Sequence, residues 1–183
     1  MKQLIHSMLA LSLVVGFAST SLSALAASAA ELDRDSQKAL KALYAKVPAA
    51  KKLGEKAHAI LVFPSVTKAG FGVGGQYGEG AMIKDGKVVG HYNTTGASFG
   101  LQAGAQKYGY AMFFMNDAAL NALDKSEGFE VGVGPSVVVM DEGMARGAST
   151  TTLTSDVYAF IFSQKGLMAG LGIQGNKITK VKK

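Results

Sequence analysis

The chain has 183 residues, a formal charge of +6 and no cysteine. Without cysteine it can hold neither disulfides nor a lipid-modified cysteine near its N-terminus, so stability must come from an apolar core. Arg34 and Arg146 are the only arginines, which disfavours bidentate reading of phosphates and hence a nucleic-acid partner, but leaves open diffuse attraction to an anionic surface.

The first thirty residues read as a secretory signal. Lys2 supplies a positive start, Met8–Ala18 an uncharged and mostly apolar stretch, and Ala24-Leu25-Ala26 or Ala27-Ser28-Ala29 a small-residue cleavage site. Cleavage near 26–30 would remove one positive charge, Lys2, leaving +5 on residues 31–183. That remainder, about 150 residues, suits a single domain able to bury about two-thirds of its unfolded surface. The expected location is periplasmic or secreted.

Residues 31–47 predict an amphipathic helix. Leu32, Ala39, Leu40, Leu43 and Val47 share one stripe at helical spacing, while Arg34, Gln37, Lys38 and Lys41 lie opposite. Glu31, Asp33 and Asp35 precede the lysines, as the helix dipole favours. Pro48 ends this segment and suits the first position of a second helix running through Ala57.

The period then changes to two. Ala59–Phe63 reads as a short buried strand followed by a turn at Pro64. From Gly70, Phe71, Val73, Tyr77, Ala81 and Ile83 point one way and Gly72, Gly74, Gln76, Gly78 and Gly80 the other. Large apolar packing is expected on the first face, and close approach of backbone or another element on the glycine face. Asp85-Gly86 predicts a type I′ hairpin turn. Phe99, Leu101, Ala103 and Ala105 against Gly100, Gln102, Gly104 and Gln106 repeat the design, and it returns at Val131–Gly134 and Leu167–Gln174. Val157–Phe162 is a strand with two apolar faces. Asn116-Asp117 caps a short helix over AALNAL. The fold class predicted is α+β: N-terminal amphipathic helices, then a strongly curved, mainly antiparallel glycine-rich sheet able to close toward a barrel, with a short additional helix.

Enzyme-like motifs have ordinary readings. Gly70–Gly75 matches G-x-G-x-x-G but runs into strand alternation rather than a helix. Gly96-Ala97-Ser98-Phe99-Gly100 matches the nucleophile elbow, yet no histidine follows Ser98, so a serine hydrolase is only a remote alternative. His58 and His91 are too few and too isolated for a metal centre. Asp124/Glu127 and Asp141/Glu142 read as solvated loop pairs. No catalytic set, metal or cofactor is expected.

Lys38, Lys41, Lys46, Lys51 and Lys52 cluster on or beside the first helices, and Lys177, Lys180, Lys182 and Lys183 crowd the C-terminus, where a frayed, solvated tail is the plain reading. A sharper one lays the first helix on a lipid surface, apolar stripe inward and lysines at headgroup level.

The blocks ILVFPSVTKAGFGVGGQYGEGAM, Ile60–Met82, and GASFGLQAGAQ, Gly96–Gln106, closely resemble the signature of the SYLF domain, also called the Ysc84 or actin-regulator homology family. The resemblance extends from Leu32 to about Lys180. It implies a domain that binds phosphoinositides or other anionic phospholipids, with Leu32–Val47 as the contacting helix. Eukaryotic relatives bind actin and often carry an SH3 domain; neither is expected of a secreted, bacterial-looking chain of this size. The expected lipid-contacting residues are Lys38, Leu40, Lys41, Leu43, Tyr44, Lys46, Lys51 and Lys52. The function expected is non-catalytic, reversible binding of an anionic membrane in the cell envelope. The alternative is a protein-interaction module that docks the same apolar helix face on an envelope partner.

Overall fold

A computed structural model describes residues 27–125, 129–131, 133–141, 154–166 and 175–183. Among the described residues three helices, α1 (Ala29–Lys46), α2 (Pro48–Gly54) and α3 (Asp117–Lys125), accompany six strands. These are β1 (Ala59–Lys84), β2 (Lys87–Phe114), β3 (Phe129–Glu130), β4 (Val137–Asp141), β5 (Val157–Gly166) and β6 (Lys177–Val181). The α+β class and the strong curvature expected from the sequence are both present, the sheet curling into a half-barrel. The predicted signal residues 1–26, the Leu167–Gln174 alternation, Gly132, Glu127 and Glu142 lie outside the described residues.

The framework is one very long hairpin. β1 and β2 pair antiparallel from Ala59↔Phe114 to Lys84↔Lys87. At its tip Asp85 and Gly86 take φ of 50° and 75°, the left-handed pair that a type I′ turn demands. The sequence predicts two strands broken at Pro64; the structure has one. Pro64 and Ser65 instead form a register irregularity, a place where a residue without an N–H fits a ladder at no cost in pairing. β2 then pairs with β6 through His91–Thr95 and with β5 through Gln106–Phe114. β3 adds to β6, and β4 joins β5 in parallel, the one parallel pairing among the described residues.

Both faces at the base of the hairpin are buried. Leu61, Phe63, Tyr110, Met112, Phe114, Val157, Ala159 and Ile161 form an inner core closed by Ala119 and Leu123 of α3. Ile60, Val62, Ala111, Phe113, Tyr158, Phe160 and Phe162 form an outer core beneath α1 and α2. The two-faced strand expected at Val157–Phe162 is therefore as predicted, and β1 shares the property.

α1 begins two residues earlier than expected because Ser28 builds a capping box. Its hydroxyl accepts the Glu31 N–H at 3.3 Å, and the Glu31 carboxylate accepts the Ser28 N–H at 3.0 Å. Those bonds hold the Glu31 carboxyl below its usual range. α2 starts on Pro48 as predicted but stops at Gly54, short of Ala57. α3 is capped by Asn116, whose Oδ1 accepts the Ala119 N–H at 2.8 Å. The alternation expected to continue at Val131, Val133 and Gly134 is not strand at those residues: Gly134 has φ of 105° and Val133 is exposed, and β3 ends at Glu130. The C-terminal lysines are not a frayed tail either. Lys177 and Lys180 belong to β6, and Lys183 Nζ reaches Glu79 Oε2 at 2.9 Å and the Ala27 carbonyl at 2.6 Å.

Candidate functional site

α1 and α2 divide their residues sharply between core and solvent. Leu32, Leu40 and Leu43, with Val47, Ala50 and Leu53, are buried, and Ser36 Oγ donates to the Val62 carbonyl at 3.4 Å beneath the helix. His91 Nε2 lies 2.7 Å from Asp33 Oδ1, tying the start of α1 to β2. Lys38, Lys41, Lys46, Lys51, Lys52 and Lys56 are exposed on the opposite side. This corrects one expectation. Leu40 and Leu43, 7 % and 1 % exposed, cannot face a bilayer or a protein partner, because they already cover Ile60, Val62 and Phe113. Tyr44 is half-buried against the same layer. Its ring lies 6.4 Å from that of Phe113, and burial, with Glu55 nearby, pushes its hydroxyl up to about 12. Of the eight residues expected to contact lipid, the five lysines are exposed, Leu40 and Leu43 are buried and Tyr44 is half-buried.

The second feature is the bend of the hairpin. Side chains added at Gly78 and Gly80 would meet Ser65, Val66, Val62 and Phe63 of the same strand, and one at Gly70 would meet Gly74. β1 therefore doubles back on itself about Gly70–Gly75, with its glycine face inward, as the sequence predicts. The opposite face does not pack as expected. Ala81 and Ile83 are buried, but Phe71, Val73 and Tyr77 are 85 %, 64 % and 51 % exposed. The reason is position: α1 and α2 cover the base of the hairpin and do not reach the bend.

Inside the bend lies a polar cluster that sequence reasoning missed. Tyr108 Oη donates to Gln76 Oε1 at 2.8 Å, Tyr110 Oη to Thr94 Oγ1 at 2.8 Å, and Gln76 Nε2 to Asn176 Oδ1. Burial pushes the Tyr108 hydroxyl up to about 12 and the Tyr110 hydroxyl still higher. Gln106 Oε1 and Asn176 Nδ2 are buried without a partner. The alternation Gln106, Tyr108, Tyr110 was the available signal, since all three share one strand face.

Residues 95–183 match the model of a family described as Ysc84, Las17-binding protein actin regulator. Over those residues the chain is similar to the Ysc84 family. No curated protein matches the chain. The Ysc84 match takes in β2 from Thr95 onward, with Gly96–Gln106, then α3 and β3 to β6, but not α1, α2, β1 or the start of β2.

The enzyme-like motifs are strand. Gly70–Gly75 lies wholly inside β1 with no helix after it. Ser98 stands in mid-β2 opposite Gly74, not at a strand-to-helix turn; its side chain lies outside the described residues. His58 Nδ1 sits 2.7 Å from Asp117 Oδ1, an exposed pair that holds the Asp117 carboxyl below its usual range. Asp124 accepts from Tyr92 Oη at 2.9 Å and lies 3.3 Å from Lys180 Nζ. Among the described residues no group of three or more metal-ligating side chains converges, and no helix is long and apolar enough to cross a membrane.

Proposed function

We propose that this chain binds anionic phospholipid surfaces peripherally and without catalysis, in the cell envelope. The observation that carries this reading is the lysine face of α1 and α2: Lys38, Lys41, Lys46, Lys51 and Lys52, with Lys56 in the turn that follows, are all exposed above a leucine layer that is fully used internally. A rigid helix pair fixed to a sheet presents those charges without having to refold. The mechanism differs from an inserting helix. Contact is electrostatic and at headgroup level, where each lysine contributes about 1 kcal/mol near an anionic membrane. Glu31, Asp33 and Asp35 gather at the start of α1, so the attraction concentrates over its C-terminal half and α2. The strand placement of Gly70–Gly75 and of Ser98 supports a binding role over nucleotide or acyl chemistry.

Deleting α1 would be a poor test, because it strips the outer core. Charge reversal is cleaner. The variant K38E/K41E/K51E/K52E should fold normally and lose vesicle binding by on the order of a hundredfold at low salt. Cosedimentation with anionic and neutral vesicles reads this directly. Wild-type binding should fade as salt rises, since exposed charges are screened beyond about 8 Å at 0.15 M. Equal binding to both vesicle types, or insensitivity to salt and to the four reversals, would sink the proposal.

A further inference from the structure

The lysine face holds charge but no apolar anchor, and the exposed aromatic side chains sit elsewhere, at the bend, while Val89, Val133 and Val138 are exposed at other places. Phe71, Val73 and Tyr77 occupy the outer side of the point where β1 doubles back. With the glycine side concave, their side is convex. Three large apolar groups exposed together on a convex crest offer a partner no pocket. A stable protein interface needs shape complementarity over about 800 Å² per partner. A fluid bilayer needs none, and accepts a protruding aromatic and its neighbours directly.

Charge supports the same occupant. Residues paired directly across strands project from the same face. Thr67 pairs with Lys107 and Lys107 with Lys165, which puts two exposed lysines on the outer face on one side of the crest. Tyr77 pairs with Thr95 and Thr95 with Lys177, which puts a third on the other side, two strand spacings or about 10 Å from Tyr77. Among the described residues the acidic side chains nearby are Glu79, occupied by Lys183, and Glu130, opposite Lys177 on the side away from the bend.

We infer that Phe71, Val73 and Tyr77 form an apolar anchor that enters the interfacial layer of an anionic bilayer, with Lys107, Lys165 and Lys177 at headgroup depth around it. This rests on the lipid reading above and adds to it where the molecule inserts. Aromatic groups flanked by lysines suit that layer, where an apolar body and a charged rim are both satisfied.

The chain contains no tryptophan, so Phe71→Trp gives a single reporter at an exposed site. With vesicles of phosphatidylglycerol and phosphatidylcholine its emission should shift blue and be quenched by brominated acyl chains; with phosphatidylcholine alone it should not. The variant F71S/V73S should keep the wild-type melting temperature and bind the anionic vesicles about tenfold more weakly. If the protein binds anionic vesicles while the tryptophan emission and the double variant's affinity stay unchanged, the anchor is refuted and the lysine-face reading survives. If the wild type binds no vesicle, both fall. A blue shift that rises with protein concentration without lipid would also overturn the anchor, assigning the crest to self-association.

Discussion

The base and the bend of the β1/β2 hairpin share the same two strands yet live in opposite environments. At the base, Phe113 and Phe160 meet edge to face at 5.3 Å, fully buried under α1 and α2. At the bend, Phe71 lies on the continuation of the same sheet face and is almost wholly exposed. The difference is made by what covers each end, and Phe162, lying over Gly109, is the last large side chain of the covered part before Lys107. The lesson is that an alternating pattern assigns faces but does not say which length of a face will be covered.

The sharpest way to break this comparison is to remove the same side chain from both regions. Phe113→Ala should lose about 3–5 kcal/mol of stability through a cavity between the helices and the sheet. Phe71→Ala should stay within about 0.5 kcal/mol of wild type. Chemical denaturation of the two variants settles it, and a Phe71→Ala loss comparable to Phe113→Ala would mean that the crest is covered after all.

Glycine gives a finer contrast. A Cβ at Gly80 would run into the Val62 carbonyl and the Phe63 ring, whereas one at Gly75 would meet the Gly96 carbonyl at an ordinary 3.8 Å. Gly80→Ala should therefore cost about 1–3 kcal/mol, and Gly75→Ala close to nothing on the same denaturation scale. Equal costs would show that the doubling back of β1 is not what the inward glycines serve.

The smallest effect concerns how the base is tied at its far edge. Asp156 accepts from Asn116 Nδ2 at 2.8 Å and from the Ser136 N–H and hydroxyl at 3.0 and 2.9 Å, joining the start of β5 to β4 and to the cap of α3. These bonds, the Asn116 one foremost, hold its carboxyl below the usual carboxylate range. A lowered folded-state value means stability that is present above the unfolded value of about 3.9 and lost as pH falls through the folded one. Asp156→Asn should accordingly melt earlier at neutral pH, and the gap to wild type should close as pH falls below about 4. Thermal melts across that window check it; a constant gap would remove the carboxylate from the account.

Local chemistry was legible wherever a few adjacent residues decide the backbone. Asp85-Gly86 adopts its turn because two positive φ values are needed within two residues. Pro48 divides the helices because it restricts the residue before it. The direction of every side chain from Phe71 to Ile83 follows from a period of two. The five lysines of α1 and α2 were legible as a solvent face for the same reason. The roles of Leu40, Leu43 and Tyr44 were not: a leucine stripe has the same spacing whether it meets a bilayer or a sheet.

What the sequence determined by itself is the alphabet of elements and the two faces of each, because these depend on bonds and spacings spanning a handful of residues. The tertiary structure alone decided which faces meet. Gln76, Tyr108 and Asn176 are far apart in the chain and come together because β1 folds over on its glycines. The helices take the outer face of the base and leave Phe71, Val73 and Tyr77 bare. Burial is a property of the partner as much as of the residue, and partners are assigned only when the whole chain closes.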